Sequence, residues 1–165
     1  MPRVGTKRSD RRWQAPDGTI WASKFEYEVY EYIRSTGCDV RKCGEGDSLN
    51  YPEPKRQAEC LACGGTDVVQ NRVYTPDLFV TPPSVVAKGR ADGYYLETKG
   101  YFRPEKRTLF RHFLKAWPNL DIRIVYEQDG KATSKLRNLQ YAERYFKIPA
   151  VAGIIGLIES GWLDE

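Results

Sequence analysis

Two short stretches, residues 73–80 and 94–98, are rich in β-branched and aromatic residues and are separated by a loop that contains two consecutive prolines. Runs of this length between turn residues are typical of strands, and the loop predicts that they pair as an antiparallel hairpin. Each strand also carries an acidic residue, Asp77 in the first and Glu97 in the second. The fold must therefore bring two carboxylates onto neighbouring strands.

The string Pro76-Asp77 followed by Glu97-Thr98-Lys99 matches the PD…ExK pattern of metal-dependent phosphodiester cleavage. Side chains alternate along a strand, so we expect Glu97 and Lys99 on one face and Thr98 on the other. Carboxylate oxygens suit magnesium, and Lys99 would orient water or neutralise developing charge. The alternatives are a strand-end carboxylate at Asp77 and an exposed strand pair at Glu97 and Lys99.

A third acid, Glu26, lies in a predicted helix over residues 23–36, beside the apolar stripe of that helix. From this position it is a candidate third magnesium ligand, together with Asp77 and Glu97. The same residue also fits a capping box in which Glu26 closes back onto Ser23 at the helix start. The spacing leaves both interpretations open.

The rest of the chain predicts a mixed α/β fold, with a central sheet flanked by helices. Helices are expected at 104–117 and 138–147, and a strand at 121–127. The apolar tail, residues 148–165, is expected to add a short helix. At 165 residues the chain is most simply one domain, residues 22–165, preceded by a basic N-terminal arm over residues 1–21.

The net charge is only +4, but the basic residues are clustered. One cluster lies in the N-terminal arm and another in and before the helix at 104–117, which suits a polyanion such as DNA. A solvated surface is the alternative for any single cluster. The residues predicted to contact the DNA backbone are Arg11, Arg12, Arg103, Lys106, Arg107, Arg111 and Lys115.

Residues 38–72 are rich in cysteine, glycine, proline and charge, and predict an inserted module. Its cysteines, Cys38, Cys43, Cys60 and Cys63, would close a tetrahedral, structural zinc site. A disulfide pair or free buried cysteines are the alternatives. With no apolar signal segment and no run long enough to span a bilayer, a cytoplasmic protein without membrane contact is expected, which favours metal over disulfides.

Four ordered strings resemble phage endonuclease I, the T-seven coliphage type of Holliday-junction resolvase in the PD-(D/E)xK nuclease superfamily. The strings begin at Ser23, Tyr74, Leu96 and Leu120 and read SKFE, YTPD, LETKG and LDIRIVY. The resemblance covers about residues 22–37 and 73–147. It implies a restriction-endonuclease-like core with a catalytic set of Glu26, Asp77, Glu97 and Lys99.

The resemblance further implies magnesium or manganese, branched DNA as substrate, a homodimer, and a role in phage DNA recombination in the host cytoplasm. Residues 38–72 replace a short family segment that helps to join the two subunits, and the Asp77–Glu97 loop is longer than in the family. We therefore expect a structure-selective, metal-dependent DNA endonuclease. The alternatives are a nicking, homing or restriction-type enzyme with the same core, or a non-catalytic zinc-ribbon DNA-binding protein.

Overall fold

A computed structural model describes residues 12–56, 67–87 and 92–164 of the chain. Its strands are β1 (Trp13–Gln14), β2 (Ile20–Trp21), β3 (Asp39–Lys42), β4 (Leu49–Arg56), β5 (Asp67–Tyr74), β6 (Leu78–Thr81), β7 (Tyr94–Lys99), β8 (Ile122–Tyr126) and β9 (Ala150–Ala152). Its helices are α1 (Lys24–Ser35), α2 (Pro83–Ala87), α3 (Pro104–Ala116), α4 (Asn138–Tyr141) and α5 (Gly153–Glu159), with a 3-10 turn at Glu45–Asp47 and a π-helical turn at Ala142–Phe146.

The central sheet has five strands in the order β3-β6-β7-β8-β9. Strands β3, β6 and β7 pair antiparallel, whereas β7, β8 and β9 pair parallel. Helix α3 makes the crossover that parallel neighbours such as β7 and β8 require. The predicted mixed α/β class with a central sheet and helices is confirmed.

The sheet separates two apolar cores. On one side Val29 and Ile33 of α1 pack with Leu78 and Leu96, and all four side chains are fully buried. The helical spacing of the α1 residues explains why this face lies inward. The other core is aromatic and lies under α3; its main members are Tyr51, Phe102, Phe110, Phe113, Ile122, Ile124, Tyr126 and Phe146.

The predicted strand over residues 73–80 is two strands in the structure. Strand β5 ends at Tyr74 and β6 begins at Leu78, with Pro76 in the break. Proline has no N–H to donate to a sheet ladder, so the chain changes sheet here. The predicted pairing of the second half with β7 is confirmed, with Leu78 opposite Leu96.

The helices expected at 23–36 and 104–117 and the strand expected at 121–127 are present with similar bounds as α1, α3 and β8. The tail does contain a short helix, α5, and its Leu157 is buried in the first core. Strand β9 was missed. Its three residues carry too short a pattern to distinguish a strand from a helix segment.

The N-terminal arm, predicted over residues 1–21, is shorter than expected where the structure describes it. Strands β1 and β2 form a small hairpin, and Trp21 is buried in the first core. Trp13 contacts Tyr27 of α1, with ring centroids 4.6 Å apart. Aromatic burial therefore fixes residues 13–21 to the body; residues 1–11 lie outside the described residues.

The segment 38–72 is also less separate than predicted. Its strand β3 is an edge strand of the central sheet, and Val40 is part of the first core. The β4–β5 hairpin packs on α3, where Tyr74 and Phe113 lie 4.3 Å apart between ring centroids. The described strands of this segment therefore belong to the body, and residues 57–66 lie outside the described residues.

None of the helices that the structure describes is long and apolar enough to cross a membrane.

Candidate active site

Asp77, Glu97 and Lys99 lie together at one end of the β6–β7 pair. Asp77 immediately precedes β6, and Glu97 and Lys99 belong to β7. Because Leu78 pairs with Leu96, the register places Asp77 beside Glu97. All three side chains line one cavity of about 490 Å³. The sequence analysis predicts one catalytic set of these three groups and Glu26, and the structure brings these three together in one cavity.

Asp77 is held in position by Thr98. Its Oδ2 accepts a hydrogen bond from the Thr98 backbone N–H at 2.8 Å and another from the Thr98 hydroxyl at 2.9 Å. The expectation that Thr98 points away from the acids was wrong, because Asp77 lies in the break before β6, within reach of the Thr98 hydroxyl. Two donors on one carboxylate oxygen fix the rotamer of Asp77 and leave Oδ1 for another ligand.

Glu97 is the most buried acid of the site, with 2% of its surface exposed. Burial, followed by repulsion from Asp77, raises the pKa of Glu97 to about 7. Its Oε1 pairs with Lys99, but Oε2 has no hydrogen-bond partner among the described residues. A buried carboxylate oxygen without a donor is costly, so this atom is poised for a cation or a water.

Lys99 lies between the two acids. Its Nζ contacts Oε1 of Glu97 and is 3.8 Å from Oδ2 of Asp77. Burial opposes the charged form, but the two carboxylates outweigh it and raise the pKa of Lys99 above its usual range. The ammonium group thus stays charged and neutralises part of the acid pair.

Glu26 is buried behind this trio. The capping interpretation is realised in a modified form: Ser23 Oγ accepts from the Glu26 N–H at 3.1 Å, and Glu26 Oε2 accepts from the N–H of Ala22 rather than of Ser23. Burial and repulsion from Asp77 raise its pKa, so its charge reaches the site. Glu26 does not line the cavity, however, and its ligand role stays a prediction.

Basic side chains surround the mouth of the cavity. Arg103 and Lys106 are exposed at the start of α3, and both line it. Arg72, which the sequence analysis missed, also lines it and pairs with Glu53 at 2.5 Å. Tyr101 stands at the same wall with 64% of its surface exposed. The cavity therefore combines an acidic floor with a basic and aromatic rim.

The remaining predicted DNA contacts are divided. Arg12, Arg111 and Lys115 are exposed, and Arg11 lies outside the described residues. Arg107 is buried, and its guanidinium donates to the backbone carbonyl of Ala132. The prediction that Arg107 faces DNA was therefore wrong. Four-residue spacing places Arg107 one helical turn from Arg111, but it does not show which face of α3 the rest of the protein covers.

The four predicted zinc ligands are not brought together where they are described. Cys38 is buried in the first core, and its thiol contacts the Leu163 carbonyl at 3.5 Å. Strand β3 separates it from Cys43 by five residues, roughly 16 Å of extended chain. Sulfurs on one zinc ion must lie about 4 Å apart, so this arrangement argues against Cys38 and Cys43 sharing it. Cys60 and Cys63 lie outside the described residues.

The carboxylate oxygens of Asp77 and Glu97 are the atoms of the acidic trio that could coordinate a metal ion. No group of three or more acidic, histidine or cysteine side chains in the described ranges forms a ready-made metal cluster. Two carboxylates, however, meet in the cavity, and Oε2 of Glu97 is buried there without a donor. Magnesium commonly binds through one or two carboxylates with water completing its shell, so these residues fit it.

Neither a model of a known protein family nor a curated protein sequence matches the chain.

Sequence reasoning missed two residues that build the site, Thr98 and Tyr74. The Tyr74 hydroxyl is fully buried; burial first, and then the charges of Glu97 and Asp77, raise its pKa well above the usual value. Tyr74 lies two residues before the PD string and Thr98 is the middle residue of the ExK string, so nearness to these strings is the signal that points to them. Their roles depend on the break between β5 and β6, which the sequence analysis did not predict.

Proposed function

We propose that the chain hydrolyses phosphodiester bonds in DNA with the help of a divalent cation. The observation that carries the proposal is the meeting of Asp77, Glu97 and Lys99 in one cavity whose rim bears Arg103 and Lys106. The two acids and the lysine inside the cavity suit hydrolysis at a phosphate. The basic residues at its rim suit binding of a polyanion such as DNA.

Asp77 and Glu97 would hold the cation, which would supply a polarised phosphoryl oxygen and a bound water of lowered pKa. Thr98 keeps Asp77 in a single orientation through two hydrogen bonds. Lys99 offers a permanent positive charge for the oxygens of the reacting phosphate. Its contacts with both acids place it beside the groups that would hold the cation.

The rim provides the contacts for the substrate. Arg103 and Lys106 offer exposed charges to phosphates on either side of the reacting one. These contacts bind any DNA backbone and do not read sequence. Tyr101 and Val73, both largely exposed at the cavity wall, offer apolar surface to a sugar or an unstacked base.

We further propose that α1, β6, β7, α3 and β8 form a PD-(D/E)xK core. The four ordered strings that resemble phage endonuclease I support this, since they fall on α1, around β6, on β7 and on β8. Selectivity for four-way junctions, a homodimer and manganese as a substitute for magnesium follow from the same resemblance. The predicted structural zinc site of Cys38, Cys43, Cys60 and Cys63 stays a prediction, since Cys60 and Cys63 lie outside the described residues.

The test is cleavage by purified full-length protein. Supercoiled plasmid is incubated with magnesium, with manganese and with EDTA, beside Asp77→Asn as the matched control for a contaminating nuclease. We expect nicking that needs the metal and is lost in the variant. Equal nicking by Asp77→Asn, or none by the wild type under any metal, would reject the proposal.

A second assay addresses the substrate. A four-way junction and a linear duplex of identical arm sequence are compared at equal concentration. Faster cleavage of the junction supports structure selectivity. Equal rates on both, or cutting at one sequence only, would favour the nicking, homing or restriction-type alternative. DNA binding without cleavage of either would favour the non-catalytic alternative.

A further inference from the structure

A second cavity, of about 610 Å³, lies beside helix α3 and away from the acidic trio. Three basic side chains line it, Arg111 from α3, Lys135 from the turn before α4, and Arg144 from the π-helical turn. Thr133 and Tyr145 add hydroxyl groups. The residues described as lining it include no acid, so the cavity carries a concentrated positive charge.

The charges of this cavity are uncompensated. Arg111, Lys135 and Arg144 are exposed, and none forms an ion pair with a residue that the structure describes. Some basic residues elsewhere have an acidic partner, for example Arg41 with Asp47 at 2.7 Å. Three unpaired cations around one concavity repel each other and favour an anion between them.

Hydrogen bonds from the buried Arg107 and within the turn hold the segment that carries Lys135. Arg107 donates to the Ala132 carbonyl, and its guanidinium lies 4.7 Å from the ring centroid of Tyr141, another residue of the cavity wall. Thr133 Oγ1 accepts from the N–H groups of Lys135 and Leu136 at 3.2 and 3.0 Å. The buried Arg107 thus supports a preformed basic pocket.

The position of this cavity relates it to the acidic one. Phe110 lines the first cavity and Arg111, the next residue, lines the second, so the two adjoin α3 on neighbouring sides. Arg103 of the first cavity and Arg111 of the second are eight residues apart, about 12 Å along the helix. That distance spans roughly three or four nucleotides of one DNA strand.

We propose that the cavity lined by Arg111, Lys135 and Arg144 binds a phosphate of the DNA backbone a few nucleotides from the phosphate that enters the acidic cavity. This assignment rests on the proposed function for the choice of DNA as ligand. The hydroxyl groups of Thr133 and Tyr145 donate to the phosphate oxygens, and the three cations neutralise its charge. The contact fixes the register of the strand without reading its bases.

The test measures binding rather than cleavage. A fluorescein-labelled duplex is titrated with full-length protein in EDTA at several potassium chloride concentrations, and anisotropy gives Kd at each. The variants are Arg111→Gln, Lys135→Gln and Arg144→Gln, with Arg111→Lys as the charge-conserving form. Arg34→Gln is the control, since Arg34 is an exposed base on α1 that pairs with Glu31 at 3.4 Å and lines neither cavity.

We expect each Gln variant to weaken binding several-fold and to reduce the slope of log Kd against log salt by about one, as the loss of one phosphate contact requires. Arg111→Lys retains the wild-type slope, and Arg34→Gln changes neither quantity. Unchanged slopes in all three Gln variants, an equal effect in Arg34→Gln, or no duplex binding by the wild type would overturn the proposal. This assay needs no cleavage. A protein that binds DNA but does not cleave it would therefore contradict the nuclease proposal and leave the phosphate-binding proposal standing.

Discussion

The two cavities beside α3 hold charge in opposite ways. The first contains Asp77, Glu97 and Lys99, all at least partly buried and in mutual contact. The second contains Arg111, Lys135 and Arg144, all exposed and without acidic partners among the described residues. In the first cavity burial strengthens the interactions between neighbouring charges. In the second cavity water screens each charge from the others.

This difference separates chemistry from association. In the first cavity a single change alters the protonation, the position and the metal affinity of the others, so effects there should be large and non-additive. In the second each base contributes a similar, salt-dependent share of binding. Variants of both cavities and of the residues that support them test this contrast.

Removal of either acid of the first cavity should have the largest effect. Asp77→Ala and Glu97→Ala should each lower the cleavage rate at least about a thousandfold, since a bound cation contributes several kcal/mol to phosphoryl-transfer transition states. Duplex binding in EDTA should persist, because the bases of both cavities remain. Retained magnesium-dependent cleavage in either variant would show that these acids are not the cation ligands.

The buried charge of Glu97 should make stability depend on pH. Its pKa is 4.5 ordinarily and about 7 in the folded chain, so the folded state holds this proton more tightly than the unfolded one. The contribution of Glu97 to folding stability is therefore greatest below about pH 4.5. It is lost as pH rises to about 7, and the loss is about 3 kcal/mol at about 1.4 kcal/mol per pKa unit. Urea unfolding in EDTA across this window measures it.

Glu97→Gln is the matched control for this loss. The variant keeps the size of the side chain and removes its titration. The difference in unfolding free energy between wild type and variant should therefore change by about 3 kcal/mol between about pH 4.5 and about pH 7. Groups remote from Glu97 are the same in both proteins, so their contributions cancel. A difference that is constant over the window would mean that Glu97 has no raised pKa.

Arg107 tests the support beneath the second cavity. Arg107→Met should lower the free energy of unfolding by about 1–3 kcal/mol, since it leaves the Ala132 carbonyl without its buried donor. Lys106→Met, one residue earlier and exposed, should change stability by less than about 0.5 kcal/mol. Chemical denaturation of both gives the comparison. Equal stability of the two variants would contradict a structural role for Arg107.

Thr98 should show the smallest effect within the acidic cavity. Thr98→Val removes the hydroxyl donor to Asp77 but keeps the backbone N–H donor. A hydrogen bond to a charged group contributes about 1.5–3 kcal/mol, so we expect cleavage to fall about ten- to a hundredfold. Thr98→Ser should restore most of the rate. If Ser is as slow as Val, the hydroxyl bond is not what positions Asp77.

Much of the fold follows from local patterns. The apolar spacing of α1 and α3 and the alternation of Ile122, Ile124 and Tyr126 in β8 predicted those elements, because burial of one face follows directly from periodicity. The alternation of Glu97 and Lys99 on a strand predicted that they share a face. Asp77, Glu97 and Lys99 were thus predictable from the chain alone.

Other features were decided by tertiary contacts. The sequence fits two roles for Glu26, and the structure shows it bonded to Ala22 while its charge acts on the site. Arg107 and Arg111 have the same chemistry and lie one turn apart, yet one is buried and the other exposed. A four-residue period cannot tell which side of a helix its neighbours cover.

The groups that can do chemistry here are visible in the local chain, because acids, a lysine and their strand spacing are properties of neighbouring residues. Which charges are paired and which are free depends on the folded arrangement, since the partners are distant in the chain. Thr98 reaches Asp77 through the β6–β7 register, and the basic cavity needs α3, the turn at 131–136 and the π-helical turn to meet. Long-range packing, rather than spacing, sets the electrostatics of both sites.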